Sequence, residues 1–230
     1  MREQFCVSKV RMSEAPVRVD LHSDPEADLD LAVAHVHAEG VIAYPTETVY
    51  GFGSLPTTAG IACIQALKRR RSEKLLIVLT PTAEEVIELV WNDEAHALAS
   101  VFWPGALTLV LGDPRGIFPS GIRSEAGKVA VRVSSNPIVH RILKKLGGPL
   151  TSTSVNCPGE PPARSGSEVV EVISRLNGDN VVLIDTGTLP VSEPSTIVDC
   201  TVKPPEVLRE GRVQIKKLSE VIPELHEQAI

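Results

Sequence analysis

The stretch Ala43-Tyr44-Pro45-Thr46-Glu47-Thr48-Val49-Tyr50-Gly51-Phe52-Gly53 decides how this chain is read. An apolar run over 40–44 reads as a strand. It stops at Pro45, which has no N–H to give to a ladder. Small hydroxyl residues and glycines follow. Further on, Lys68-Arg69-Arg70-Arg71-Ser72-Glu73-Lys74 sets five cations and one anion at the end of a helical stretch. Hydroxyls and backbone donors facing such a cluster suit a polyphosphate. The whole chain carries a net charge of −6, so the cluster stands against the average.

The flanking periodicity sets the fold class. Upstream, Asp24-Pro25 marks a helix start, with Leu29, Ala32, Val33 and Val36 on one face and Gly40 as the stop. Downstream, 58–67 reads as a helix with Ile61, Ile64 and Leu67 inward. The continuous apolar run 75–79 reads as a strand buried on both faces. Further strands are expected over 106–111, 129–133, 150–155, 181–184, 196–200 and 206–208. Asn136-Pro137 opens a helix that Gly147 ends, and Ser165 with Glu168 forms a capping box ahead of another. A last helix is expected over 218–227. Strands and helices interleave without repeats, which implies one α/β domain built on a twisted mixed sheet flanked by helices. Residues 1–16 read as a loosely structured N-terminal segment and 17–230 as the domain.

Composition narrows the function classes. At 230 residues, with 43% apolar and 23% charged residues, the chain is long enough to bury a substantial core. Aromatics at 3% argue against base-stacking platforms for single-stranded nucleic acid. Cysteines stand at 6, 63, 157 and 200 without the short spacing of a zinc site, so no resident metal site and no disulfide framework is expected. No apolar stretch approaches the ~20 residues that span a bilayer, and 1–17 lacks the hydrophobic segment of a secretory leader. The expectation is a soluble, cytoplasmic protein with no membrane partner. Walker loops, the full dinucleotide glycine pattern, G-x-S-x-G and H-E-x-x-H are all missing.

Four places could carry chemistry. The cationic loop is the first; its bland alternative is a solvated helix end meeting the C-terminal dipole. Second, Lys128-Val129-Ala130-Val131-Arg132-Val133 puts an arginine inside an apolar strand, where an unpaired guanidinium is costly. Arg132 must therefore meet a carboxylate, on the protein or on a ligand. Third, Ser152-Thr153-Ser154-Val155-Asn156 gathers three hydroxyls and an amide at a strand end, more than turn chemistry uses. Fourth come Ser195 to Asp199 and Leu208-Arg209-Glu210-Gly211, each weak alone.

Taken in order, these segments resemble the YrdC-like threonylcarbamoyl-adenylate synthase family. The matching stretches are Tyr44 to Gly53, Lys68-x-Arg70-x-x-x-Lys74, Trp103-Pro104-Gly105 with Leu107-Thr108, Val129 to Arg132, Ser152 to Asn156, Ser195 to Asp199, and Leu208-Arg209. Arg71 and Leu75 stand where the family commonly has proline, Val155 where it has alanine, and Leu79 where some members have histidine. The resemblance implies a YrdC-like sheet with a concave, positively charged cavity. It implies condensation of L-threonine, bicarbonate and ATP to threonylcarbamoyl-AMP and pyrophosphate, with magnesium carried on the nucleotide. A downstream threonylcarbamoyl transferase would use the product on tRNA.

Carried over by position, Thr48, Arg132, Ser152 and Ser195 would contact threonine. Lys68, Arg70, Lys74, Lys128, Ser154, Asn156, Pro162 and Arg209 would lie along ATP, Lys128 and Pro162 through backbone atoms. Lys68, Arg70 and Lys74 would be the catalytic cations, since a carbamate attacking a phosphate brings two anions together. Other readings are a double-stranded RNA or tRNA-binding module, and a carbamoyl-adenylate transfer domain like that inside hydrogenase-maturation proteins. The acidic net charge disfavours the first as a main role and leaves only weak tRNA or double-stranded RNA contact through the cavity. The absence of zinc-finger cysteines disfavours the second.

Overall fold

The computed structural model describes residues 16–69, 76–178 and 180–227. The strands are β1 (Arg18–Asp20), β2 (Val41–Pro45), β3 (Tyr50–Gly53), β4 (Ile77–Leu79), β5 (Leu107–Gly112), β6 (Lys128–Arg132), β7 (Leu150–Ser154), β8 (Val181–Asp185), β9 (Thr196–Asp199), β10 (Glu206–Arg209) and β11 (His226–Glu227). They lie in the order β1-β8-β2-β3-β7-β4-β6-β5-β9-β10-β11. Parallel pairs (β1–β8, β2–β8, β4–β6, β5–β9, β10–β11) stand among antiparallel ones, so the sheet is mixed.

Strand alternation sends side chains into two cores. On β2, Val41 and Ala43 face one core while Ile42 and Tyr44 face the other. Helices α1 (Asp30–His37) and α4 (Pro137–Leu146) cover the second face through Val33, Val36, Val139 and Leu143. Helices α2 (Thr58–Lys68), α3 (Asp93–Phe102) and α5 (Gly166–Leu176) cover the first through Ile61, Ile64, Leu98, Val169 and Ile173. The caps expected for α4 and α5 are made: Asn136 Oδ1 accepts from Ile138 N at 2.8 Å, and Ser165 Oγ from Glu168 N at 3.2 Å.

Several elements differ from the sequence expectation. Asp24-Pro25 forms a turn, and the helix begins at Asp30, after Asp28 Oδ1 accepts from Asp30 N at 3.0 Å. The helix expected over 218–227 is only α6 (Ile215–Ser219). Pro223 cannot continue a helix, and His226 pairs with Glu206 as the edge strand β11 instead. Of the run 75–79, Ile77–Leu79 is strand, and Leu75 lies outside the described residues. β1, β3 and α3 were not foreseen. In Tyr50-Gly51-Phe52-Gly53 the glycines serve strand packing. A Cβ on Gly53 would lie 2.4 Å from Thr151 O, so β7 reaches this close to β3 only where a side chain is missing.

The sheet is curled rather than flat. Glu47 follows β2, third in the order, while Arg132 ends β6, seventh in the order. Four inter-strand steps span about 19 Å on a flat sheet, yet these two side chains are 2.5 Å apart. The 46–49 turn therefore folds over the sheet's inner face.

Candidate active site

Arg132 is the centre of the first cluster. It is 5% exposed, and its Nε donates to Gly105 O at 2.9 Å. Its Nη2 touches Glu47 Oε1 without an acceptor in line with its N–H bonds. The carboxylate that the sequence demanded is thus on the protein, 85 residues away, while a buried donor is still left without an aligned partner. Glu47 is further held by Ser134 Oγ at 2.5 Å and Ser135 N at 3.1 Å. Burial pushes the Glu47 carboxyl up, but Arg132 and Ser134 more than offset it, and the group ends below its ordinary value.

Thr48 sits in the same turn, its Oγ1 2.9 Å from that of Thr46. Ser195, buried ahead of β9, accepts from Thr108 Oγ1 at 2.9 Å. Arg209 at the end of β10 donates to Ser195 O from Nη2 at 2.7 Å and to Ser195 Oγ at 3.3 Å. Partial burial and the positive field of Arg132 lower the Arg209 guanidinium below its usual range. Register puts both guanidiniums at the same end of the sheet, Arg132 opposite Leu79 and Arg209 opposite Ile197, which itself pairs with Thr108. Tyr44 adds a hydroxyl that donates to Thr151 O at 3.2 Å. Burial pushes its pKa up, with Ser152 and Arg132 acting the other way, which places Ser152 beside this cluster.

The second cluster lies at the other end of the strands. Ala130 and Ser152 both pair with Ile77, so Lys128 and Ser154 lie toward one end and Arg132 toward the other. Four residues of strand from Lys128 to Arg132 span about 13 Å. Ser152 and Ser154 share a face of β7 and run between the two ends. Lys68, the last residue of α2, is 6% exposed and donates from Nζ to Ser154 O, Asn156 O and Asn156 Oδ1, each at 2.8 Å. Ser154 Oγ also donates to Asn156 Oδ1 at 2.7 Å, and Asn156 Nδ2 to Glu160 O at 2.8 Å.

Lys68 is therefore a buried tie for the strand-end turn, where the sequence reading had it as a loop cation. The loop carrying Pro162 docks beside it through Ala163, which donates to Val155 O at 2.7 Å and accepts from Tyr50 N at 3.1 Å. The Lys128 side chain is taken by Asp199 at 2.7 Å, while its backbone N–H donates to Ser124 Oγ at 3.0 Å and its carbonyl accepts from Ser124 N at 2.9 Å. Arg70 and Lys74 lie outside the described residues.

Lys68, Ser154 and Asn156 are thus bonded to one another with Pro162 on the adjoining loop, while Arg132, the Thr48 turn and the Ser195–Arg209 pair lie toward the other end, with Ser152 beside Tyr44. Glu47 was missed as a site residue although it lies inside the quoted stretch. Its signal was the lone Arg132, which needed a carboxylate that sequence alone could not choose. Two shallow hollows of about 260 and 320 Å³ lie elsewhere, near Asp185 and His35.

A curled α/β sheet that holds paired guanidiniums at one end and a lysine-tied polar turn at the other defines a site for an extended small molecule with anionic groups. The profile of the Sua5/YciO/YrdC family, described as "telomere recombination", matches residues 34–211, and the chain belongs to this family. A threonylcarbamoyl-AMP synthase of Marinobacter nauticus is 36% identical over 184 residues, 78% of this chain and 95% of the relative. Another, of Stenotrophomonas maltophilia, is 38% identical over 180 residues, covering 76% and 94%. The crystal structure of Pyrococcus abyssi Sua5 complexed with L-threonine matches with a TM-score of 0.83 at 28% identity. That match covers 94% of this chain and 63% of the longer archaeal one.

Proposed function

We propose that this protein is a threonylcarbamoyl-AMP synthase. It condenses L-threonine, bicarbonate and ATP to threonylcarbamoyl-AMP and pyrophosphate, and a downstream transferase places the threonylcarbamoyl group on adenosine next to the anticodon of certain tRNAs. The observation that carries this reading is the buried Arg132 guanidinium, one donor still unaligned, at the same sheet end as the Arg209–Ser195 pair and in contact with Glu47 next to Thr48. Such a place favours a small carboxylate that also carries a hydroxyl. The named relatives and the threonine complex supply the same chemistry independently.

The chemistry follows from the layout. Bicarbonate and the threonine amine give a carbamate with loss of water. A carbamate oxygen then bonds to the α-phosphorus of ATP, and the bond to the β-phosphate oxygen breaks to release pyrophosphate. Arg132, Thr48 and Ser195 hold threonine, with Ser152 beside them. Ser154 and the Lys68-tied turn at Asn156 lie along the nucleotide, 10–15 Å away on the strand scale, roughly the reach of an acyl adenylate. Lys128 and Pro162 contribute backbone atoms there. Arg209 borders the junction, where its charge offsets the repulsion between carbamate and phosphate. Arg70 and Lys74 are proposed to reach the leaving phosphates.

Magnesium is carried with the nucleotide. Among the described residues no cluster of three or more His, Cys, Asp or Glu stands ready to hold a metal, and Glu47 is committed to Arg132 and Ser134. Among those residues no helix is long and apolar enough to cross a membrane, and the reading places the work in the cytoplasm, with residues 17–230 as the catalytic unit.

The test is pyrophosphate release from ATP with bicarbonate and each amino acid in turn. Threonine is expected to exceed serine by a modest factor, since one methyl is worth ~1–3 kcal/mol in a fitted pocket, and valine to be rejected more strongly. Equal release with valine, or release independent of amino acid, would sink the reading.

A further inference from the structure

Arg212 belongs to none of the motifs that carry the site. It lies in the turn after β10 and its residue surface is exposed, yet it is tied at three points. Its Nη1 donates to Glu47 O at 2.9 Å and to Ser192 Oγ at 3.2 Å, and its backbone N–H donates to Pro194 O at 2.9 Å. The turn beneath it has little slack. Gly211 N and Val213 N both donate to Thr196 Oγ1, which itself donates to Val213 O at 2.6 Å. A Cβ on Gly211 would come within 2.2 Å of Pro194 O. The guanidinium therefore projects from a fixed base at the start of β9.

The two segments that Arg212 joins carry Thr48 on one side and Ser195 on the other. β2 and β9 stand third and ninth in the strand order, so no ladder connects these segments directly. The spacing between their hydroxyls depends on how far the 46–49 turn folds inward. Its backbone carbonyl at Glu47 is held from outside by Arg212, while its carboxylate is held from inside by Arg132. We infer that Arg212 is a positioning residue. It straps the 46–49 turn to the 192–195 segment across the open side of the curled sheet and so sets the width of the amino-acid end of the site. The strap stands on geometry; that threonine fills the strapped space rests on the function proposed above.

A planar guanidinium serves two acceptors in fixed directions, which an ammonium on a flexible stem does less well. The experiment compares the full-length parent, Arg212→Ala, Arg212→Lys and Ser192→Ala by amide hydrogen exchange and by calorimetric titration with L-threonine and with ATP. In Arg212→Ala, exchange should rise in peptides covering 46–49 and 192–195 and stay parental elsewhere. Threonine affinity should fall roughly tenfold, about 1.4 kcal/mol, with ATP affinity within about twofold. Arg212→Lys and Ser192→Ala should fall in between.

Parental exchange in both segments would overturn the strap. Loosened segments with undiminished threonine affinity would overturn the positioning role, as would an equal loss for both ligands. If the parent itself binds no threonine, the proposed function fails, and exchange alone then decides the strap: both segments loosened supports it, neither loosened overturns it.

Discussion

Replacing Lys68 with methionine separates two roles for this residue. The ammonium is buried and donates to Ser154 O, Asn156 O and Asn156 Oδ1 at 2.8 Å, and it lies 5.9 Å from the Phe52 ring centre. Methionine keeps most of the stem but removes every donor. A hydrogen bond to a charged group contributes ~1.5–3 kcal/mol, and a buried acceptor left unmet costs ~1–3 kcal/mol. The bonds share one ammonium, and Ser154 and Asn156 are half-buried, so water recovers part of the loss. A net destabilisation of about 2–4 kcal/mol follows. For a chain of this length each kcal/mol is worth roughly 2–4 °C, which gives a fall in Tm of about 5–15 °C. Calorimetric or urea unfolding measures it, alongside pyrophosphate release below the transition. A variant with parental Tm and lost synthesis would refute the reasoning, because Lys68 would then act on phosphate rather than as a tie.

Two further outcomes follow from the first cluster. Arg132→Lys keeps the charge but loses the two-pronged geometry; the threonine KM should rise at least about tenfold with the ATP KM little changed, and an equal rise in both would count against the assignment. Glu47 titrates below its ordinary value near 4.5 because Arg132 and Ser134 outweigh burial. Its ionised form therefore stabilises the fold above about pH 4.5, and that contribution is lost as pH falls through the lowered value. Glu47→Gln should lower Tm at neutral pH and flatten its fall below pH ~4.5, whereas a Tm–pH curve parallel to the parent's would show that Glu47 carries no such linkage.

Legibility in the sequence followed physical locality. Strands such as β6 and β8 declared themselves through unbroken apolar runs, and α4 and α5 through caps made within three residues. β3 was hidden because the reason for its glycines lies on another strand: Gly53 answers to Thr151 O and to the Tyr44 ring, 2.4 and 2.8 Å from a would-be Cβ. α3 carried a visible signal, Asn92 accepting from Ala95 N at 2.8 Å, but its alanine-rich face lacks a strong apolar stripe. In the site, the need for a carboxylate at Arg132 was legible and its source was not. Lys68 looked like one cation among five, because nothing local marks it as turned inward against carbonyls 86 and 88 residues away. Arg212 had no signal at all, since its partners are set by how the sheet curls.

The interleaved strand order has a consequence for how the protein comes into being. β8 enters between β1 and β2, and β7 between β3 and β4, so late-made chain completes ladders begun by early-made chain. Such non-local pairing folds slowly for its size. Thr48, Arg132 and Ser195 are carried by segments from β2 to β9, so the proposed amino-acid end of the site needs that stretch of sheet to be formed. Substrate then binds the native state and not its precursors. At a hundred times Kd, that linkage adds about 2.7 kcal/mol to stability, a sizeable share of the ~5–15 kcal/mol that holds a domain together. The ligand-free protein is therefore expected to unfold more readily than the protein with substrate bound.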